Sequence, residues 1–277
     1  MIVIRHVNSD YPSRAIVILL VPGILSLLFA ILYEIPALAF VGLGLIFWGI
    51  LFLLLGPPRR IESNLLCNDA TSRYSTIDRI IKDFEYTGQA FYIPPYPKSV
   101  YIPEHLKSLK EAVVYISSEE TSPLPSTEEI AQGKFLLENE KGILITPPGI
   151  GILTDIEDKS RIDFTNLNIN QFCEIMPQII LEKFNLATEI EITFQQNKIT
   201  MKIKDSIYKK LYEKESNPRG VLILGCPLVS AVACALTKSS NKIVKIAQPV
   251  MINQETIEVT YNLMQDWSQQ INKSDLT

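Results

Sequence analysis

The chain has 277 residues, is 47% hydrophobic and 20% charged, and carries a formal net charge of −4. Residues 1–60 hold Arg5, Arg14, Arg59 and Arg60 against Asp10 and Glu34, a balance of +2, so residues 61–277 carry −6. An acidic segment without a stripe of Arg and Lys lacks the cationic contacts that give affinity for a phosphate backbone, which excludes nucleic acid as a partner.

The cysteines Cys67, Cys173, Cys226 and Cys234 fall at spacings that fit neither a CxxC pair nor a zinc site, and His6 and His105 are the only histidines. Free thiols in a reducing compartment are expected, and no metal, nucleotide or redox cofactor is implied.

In chain order, residues 1–14 form a short N-terminal segment and residues 15–56 a helical hairpin. Ala15–Tyr33 and Ala37–Leu55 each run 19 residues without a charge, about 28 Å of helix against roughly 30 Å of hydrocarbon. Only Glu34, Ile35 and Pro36 separate them, so the two spans must be antiparallel neighbours, with Gly42, Gly44 and Gly49 placed where a second helix can approach closely. Pro22-Gly23 removes a backbone donor inside the first span, a defect that a neighbouring helix covers. Arg14 before the hairpin, Arg59-Arg60 after it and no cation in the turn predict a two-span protein of the cell membrane with both termini cytoplasmic.

Beyond Gly56-Pro57-Pro58, the soluble region divides at the Ser/Thr/Glu/Pro-rich loop 117–125 into a first segment, 61–125, and an α+β domain, 126–277. Ile77, Ile80, Ile81 and Phe84 mark an amphipathic helix over Ser75–Tyr86. The prolines of Phe91–Pro97 and Val100–Pro103 favour edge strands or an ordered loop over interior strands. Val113–Ile116 and Gly142–Ile145 are predicted strands, and Thr146-Pro-Pro-Gly-Ile-Gly151 a turn leading to a helix through Leu153 and Ile156. Gly149 and Gly151 in that turn are candidate phosphate-cradling residues, although neither GxGxxG nor GK[ST] is present. The stripe Phe172, Ile175, Met176, Ile179, Ile180 and Phe184 predicts a core helix. Glu189–Phe194 and Lys198–Lys204 alternate around Gln195-Gln196-Asn197 as an antiparallel hairpin with one dry face.

The stretch from Val221 to Ala247 predicts strand (221–224), turn (Gly225-Cys226-Pro227), buried helix (228–238) and strand (242–247). Pro227 suits the first helical position and sets Cys226 at the positive end of the helix dipole, where a thiol's pKa can fall. Cys226 is therefore the candidate nucleophile of a thiol-dependent enzyme, and Gly225, Cys226 and Pro227 the candidate helix-start site of a small-molecule or anion sensor. A final strand is expected over Thr256–Tyr261.

The tandem N-terminal spans, the strand entering Thr146–Gly151 and the segment Gly225-Cys-Pro-Leu-Val-Ser-Ala-Val-Ala-Cys-Ala-Leu236 resemble an uncharacterised family of archaeal membrane proteins over most of the chain. That resemblance implies a transmembrane hairpin followed by a cytoplasmic α+β domain, with a mixed or antiparallel sheet and packed helices. It implies no activity. The expected role is a non-enzymatic, membrane-anchored cytoplasmic module that contacts the lipid bilayer and binds a protein partner or serves as an accessory subunit of a membrane complex. The sensor and the thiol enzyme are the alternatives.

Overall fold

A computed structural model describes residues 2–5, 11–55, 63–95, 112–137, 141–213 and 218–266. It divides the chain into two compact units, Val7–Glu62 and Met1–His6 with Ser63–Thr277.

The smaller unit contains helices α1 (Tyr11–Tyr33) and α2 (Pro36–Leu55), which reverse at Glu34, a residue in the left-handed region with φ 53°. Their packing is antiparallel and depends on small residues. A Cβ at Gly42 would lie 2.9 Å from the Gly23 carbonyl oxygen and 2.9 Å from Leu27, and one at Gly49 would lie 2.8 Å from Leu20. Ser26 adds a hydroxyl bond to the Leu38 carbonyl at 2.8 Å. Gly44, grouped with these glycines from sequence, meets nothing within 4 Å and so plays no part in the contact. Helix α1 continues through Pro22.

The larger unit is α+β. Among the described residues, nine strands form one sheet: β1 (Ile2–Arg5), β2 (Ala90–Ile93), β3 (Val113–Ser117), β4 (Gly142–Ile145), β5 (Glu189–Gln195), β6 (Lys198–Lys204), β7 (Lys242–Ile246), β8 (Val250–Met251) and β9 (Thr256–Asp266). Their order is β1-β5-β6-β9-β7-β2-β3-β4, with β8 added on β9. Every pairing is antiparallel. The β5–β6 hairpin has the register its alternation predicts, Ile190 opposite Ile203, Ile192 opposite Met201 and Phe194 opposite Ile199. Strands on both sides of loop 117–125 belong to this sheet, since β4 pairs with β3.

Helices α3 (Ser63–Asp83), α5 (Ile150–Ser160), α6 (Ile169–Gln178), α7 (Arg219–Leu224) and α8 (Pro227–Ser240) belong with one face of the sheet. The short helix α4 (Thr127–Ala131), fixed by a capping box between Ser126 and Glu129, packs Ile130 and Ala131 with Phe91, Tyr115, Leu144 and Ile243 in a second cluster. A one-turn π-helix, Ile179–Lys183, extends α6, so of the predicted stripe Phe172, Met176, Ile179 and Ile180 are buried across both segments, while Ile175 and Phe184 are half-buried. The predicted helix through Leu153 and Ile156 is α5, with both residues fully buried.

Helix α8 occupies the centre of this layer. Every residue from Leu228 to Thr237 is buried, because α5, α6 and the 3₁₀ turn Phe164–Asn166 cover it on one side and β7 and β2 on the other. Lys238 near its C-terminal end holds Glu157 of α5 through both carboxylate oxygens, at 2.9 and 2.7 Å. Among the described residues, Arg219–Ser240 is the one helical stretch long and apolar enough to cross a membrane, and it is mostly buried inside the domain. The apolar stretches Leu19–Tyr33 and Pro36–Leu51 of α1 and α2 are shorter.

Three sequence expectations are corrected. Helix α3 begins at Ser63 rather than near Ser75, and its buried stripe is Cys67, Ala70, Tyr74 and Ile81. The first half is rich in Ser, Asn, Asp and Thr, weak helix formers whose helicity here comes from packing. Strand β2 is interior, between β7 and β3. Pro94 and Pro95 follow its last paired residue, Ile93, so no ladder donor is lost. Val221–Leu224 is helical, not a strand. Four apolar residues do not distinguish the two, and the burial of Val221 and Leu224, three apart, follows helical spacing. The Pro-rich run 100–103 and the paired arginines 59 and 60 lie outside the described residues.

Met201, fully buried at the middle of β6, tests the main core. Met201→Ala is expected to cost about 2–5 kcal/mol through lost transfer energy and a residual cavity, read as a lower urea midpoint in equilibrium unfolding followed by circular dichroism.

Candidate functional site

The sequence directs attention to Gly225-Cys226-Pro227, which is the break between α7 and α8. Gly225 has φ 72° and ψ 168°, a conformation essentially restricted to glycine, and a Cβ there would collide with the Val229 side chain. Pro227 occupies the first position of α8 and Cys226 its N-cap, as expected.

Three backbone groups freed by this break are taken by buried tyrosine hydroxyls from separate elements, and a fourth tyrosine bonds a carbonyl in the first turn of α8. Tyr74 of α3 donates to the Gly225 carbonyl at 2.5 Å. Tyr92 of β2 donates to the Leu224 carbonyl at 2.7 Å. Tyr212, in the 3₁₀ turn Lys209–Tyr212, accepts from the Cys226 N–H at 2.7 Å. Tyr261 of β9 donates to the Val229 carbonyl at 3.2 Å. All four phenols sit well above their ordinary pKa, foremost because burial penalises the phenolate.

Cys226 is fully buried. Its thiol is pushed up by desolvation, which outweighs the nearby Tyr212 hydroxyl and Val229 and Leu228 amides that favour the thiolate. The lowering that a helix start can give a thiol is opposed here by removal from water, which is the larger effect at Cys226. Cys67, Cys173 and Cys234 are likewise free and buried.

The structure brings Gly149 to the same helix start, but as a packing contact. Its N–H donates to Ser230 Oγ at 3.0 Å, and a Cβ on it would run into Pro227 and Ala231 backbone. Gly151 lies two residues away with nothing within 4 Å of its would-be Cβ. These glycines and Gly225–Pro227 therefore meet through the Gly149–Pro227 approach, at a place filled by protein.

An open cleft lies on the other side of α7. With a volume of about 450 Å³, it is lined by the turn Thr87–Ala90, by Arg219, Leu222 and Ile223 of α7, by Lys245–Gln248 at the end of β7, and by Asn262 of β9. It opens beside the point where β2 and β7 stop pairing, after Phe91–Lys245. Gly88 lets the turn pass against the Ser117 backbone, and Asp78 accepts the Gly220 N–H at 2.5 Å, fixing the start of α7. No motif in the sequence announces this cleft, because its residues come from four distant segments. Locally the sequence shows only the cation Arg219 beside the apolar run 221–224.

A family model described as a domain of unknown function, DUF7982, matches residues 3–263. The chain belongs to this family. The match runs from β1 to β9, so the DUF7982 region takes in the helical hairpin as well as the sheet, the tyrosine-bound break and the cleft. No curated protein and no solved structure matches the chain.

Three outcomes are expected of the DUF7982 core. Tyr92→Phe strands the buried Leu224 carbonyl and is expected to cost about 1–3 kcal/mol. The unfolded chain releases tyrosine protons near pH 10, while the native phenols keep theirs, so stability present below pH 10 declines above it. Each such tyrosine removed should flatten that decline by about 1.4 kcal/mol per pH unit, which denaturant titrations at a series of alkaline pH values would measure. Cys226, for its part, should resist iodoacetamide in the native protein at pH 8 and react only when the domain is unfolded. Labelling as fast as a free thiol would contradict its buried position.

Proposed function

We propose that this protein is a membrane-anchored module, with α1 and α2 as a two-span hairpin and the α+β domain on the cytoplasmic side, where it binds a protein partner or serves as an accessory subunit of a membrane complex. The observation that carries the reading is topological. Strand β1 precedes the hairpin and α3 follows it, yet both belong to the same compact unit, and β1 pairs with β5 in its sheet. A chain that leaves and rejoins one folded domain across two helices must return to the side it left, which suits a hairpin spanning an even number of times.

The helix surfaces support the same reading. Ile31, Leu32, Phe40 and Leu43 are more than 60% exposed within their unit, an apolar surface that favours lipid over water. The contact between α1 and α2 uses Gly23, Gly42 and Gly49, as helix pairs in lipid do. The cytoplasmic side rests on Arg14, Arg59 and Arg60, and the archaeal source on the family resemblance alone.

The second reading, a small-molecule or anion sensor, is favoured by the cleft rather than by the Gly225–Pro227 helix start, where the Cys226 amide is already bonded to the Tyr212 hydroxyl.

The membrane reading predicts that the full chain with a C-terminal tag stays in the membrane pellet after alkaline carbonate washing. Protease should remove the tag from inverted vesicles and leave it intact in whole cells. Release into the carbonate supernatant, or a tag cut from outside whole cells, would refute the anchor or its orientation respectively.

A further inference from the structure

We propose that the cleft between α7, the end of β7 and the turn before β2 binds a small organic anion, with its phosphate or carboxylate held by Arg219 and Lys245. Its apolar portion would lie against Leu222, Ile223 and Ile246. The volume of about 450 Å³ falls within the range of roughly 300–1,000 Å³ typical of small-molecule sites.

The charge argument is specific. In an acidic domain, this cleft gathers two cations and no carboxylate in its lining. Among the described residues, neither Arg219 nor Lys245 is engaged in an ion pair or side-chain hydrogen bond. Asp78, which contacts the start of α7, spends an oxygen on the Gly220 amide. An arginine fork and a lysine point charge suit an oxyanion. Gln89, Gln248 and Asn262 supply neutral donors and acceptors around it, and the Leu222–Ile223 wall gives an organic ligand an advantage over the bare ion.

The geometry also gives the ligand a route to the domain's centre. Leu222 and Ile223 face the cleft from the same six-residue helix whose other face carries buried Val221 and Leu224 and ends at the tyrosine-bound Gly225. A ligand there would stiffen α7 against the core.

The inference deepens the sensor reading and does not depend on the membrane reading, because binding is measured on the full chain in non-ionic detergent whatever fraction it came from. The test is calorimetric titration at low salt with inorganic phosphate, phenyl phosphate and benzoate. Phenyl phosphate is expected to bind saturably and about tenfold more tightly than inorganic phosphate. Arg219→Gln combined with Lys245→Gln should weaken it by about tenfold or more, while Arg219→Lys combined with Lys245→Arg should stay within about threefold of the parent. Arg219 is exposed and Lys245 half-buried, so unchanged circular dichroism is expected of both variants.

Competition by phosphatidylglycerol liposomes but not by phosphatidylcholine liposomes would assign the site to a lipid headgroup, and no competition by either would assign it to a soluble anion. Absence of saturable binding by all three anions up to about 10 mM, or equal affinity in the charge-removed variant, would overturn the proposal.

Discussion

The buried break between α7 and α8 is the constraint on which the larger domain depends. Interrupting a helical run inside a core frees carbonyls and an amide where no water can reach them, and each unsatisfied group costs about 1–3 kcal/mol. Tyr74 of α3, Tyr92 of β2 and Tyr212 of the 209–212 turn resolve this, and Tyr261 of β9 adds a bond to the Val229 carbonyl inside α8. The break therefore ties together elements far apart in sequence, since each hydroxyl must arrive from a different part of the fold for the centre to be hydrogen-bonded.

That arrangement explains why one helix is buried all round. α8 can be apolar on every side because α5, α6 and the sheet surround it, and its polar members are engaged. Ser230 accepts from Gly149, and Thr237 donates to the Cys234 carbonyl at 2.7 Å. Hydropathy alone makes Arg219–Ser240 resemble a membrane span, whereas α1 and α2 bear comparable apolarity on surfaces that their own unit leaves open. What separates these cases physically is whether protein covers the side chains. Protein covers the apolar side chains of α8, whereas those of α1 and α2 stay exposed within their unit.

The break also shapes the cleft. Because α7 ends after six residues at Gly225, its outer residues Leu222 and Ile223 remain beside the end of β7. The glycine that the chain needs for a left-handed turn thus leaves an apolar wall next to two cations. Cys226, the most conspicuous residue of the sequence motif, contributes in a different way. It occupies the N-cap position of α8 as a buried packing group, and the same desolvation raises its thiol pKa.

Local patterns were sufficient for the elements whose chemistry is local. The β5–β6 hairpin and its register, the strands at 113 and 142, the core helix after Phe172 and Pro227 at the first position of α8 follow from alternation, helical spacing and proline stereochemistry. The α+β class follows from the same patterns. Tertiary structure decided the rest. Four apolar residues at 221–224 became helix because Pro218, Asp78 and Gly225 bound them at both ends. β2 became interior because its prolines fall one step beyond the ladder. The polar start of α3 became helical through packing of Cys67, Ala70 and Tyr74. The cleft could not be read at all, since Gln89, Arg219, Lys245 and Asn262 converge through non-local strand pairing, and a sequence records spacing along the chain rather than distance across a sheet.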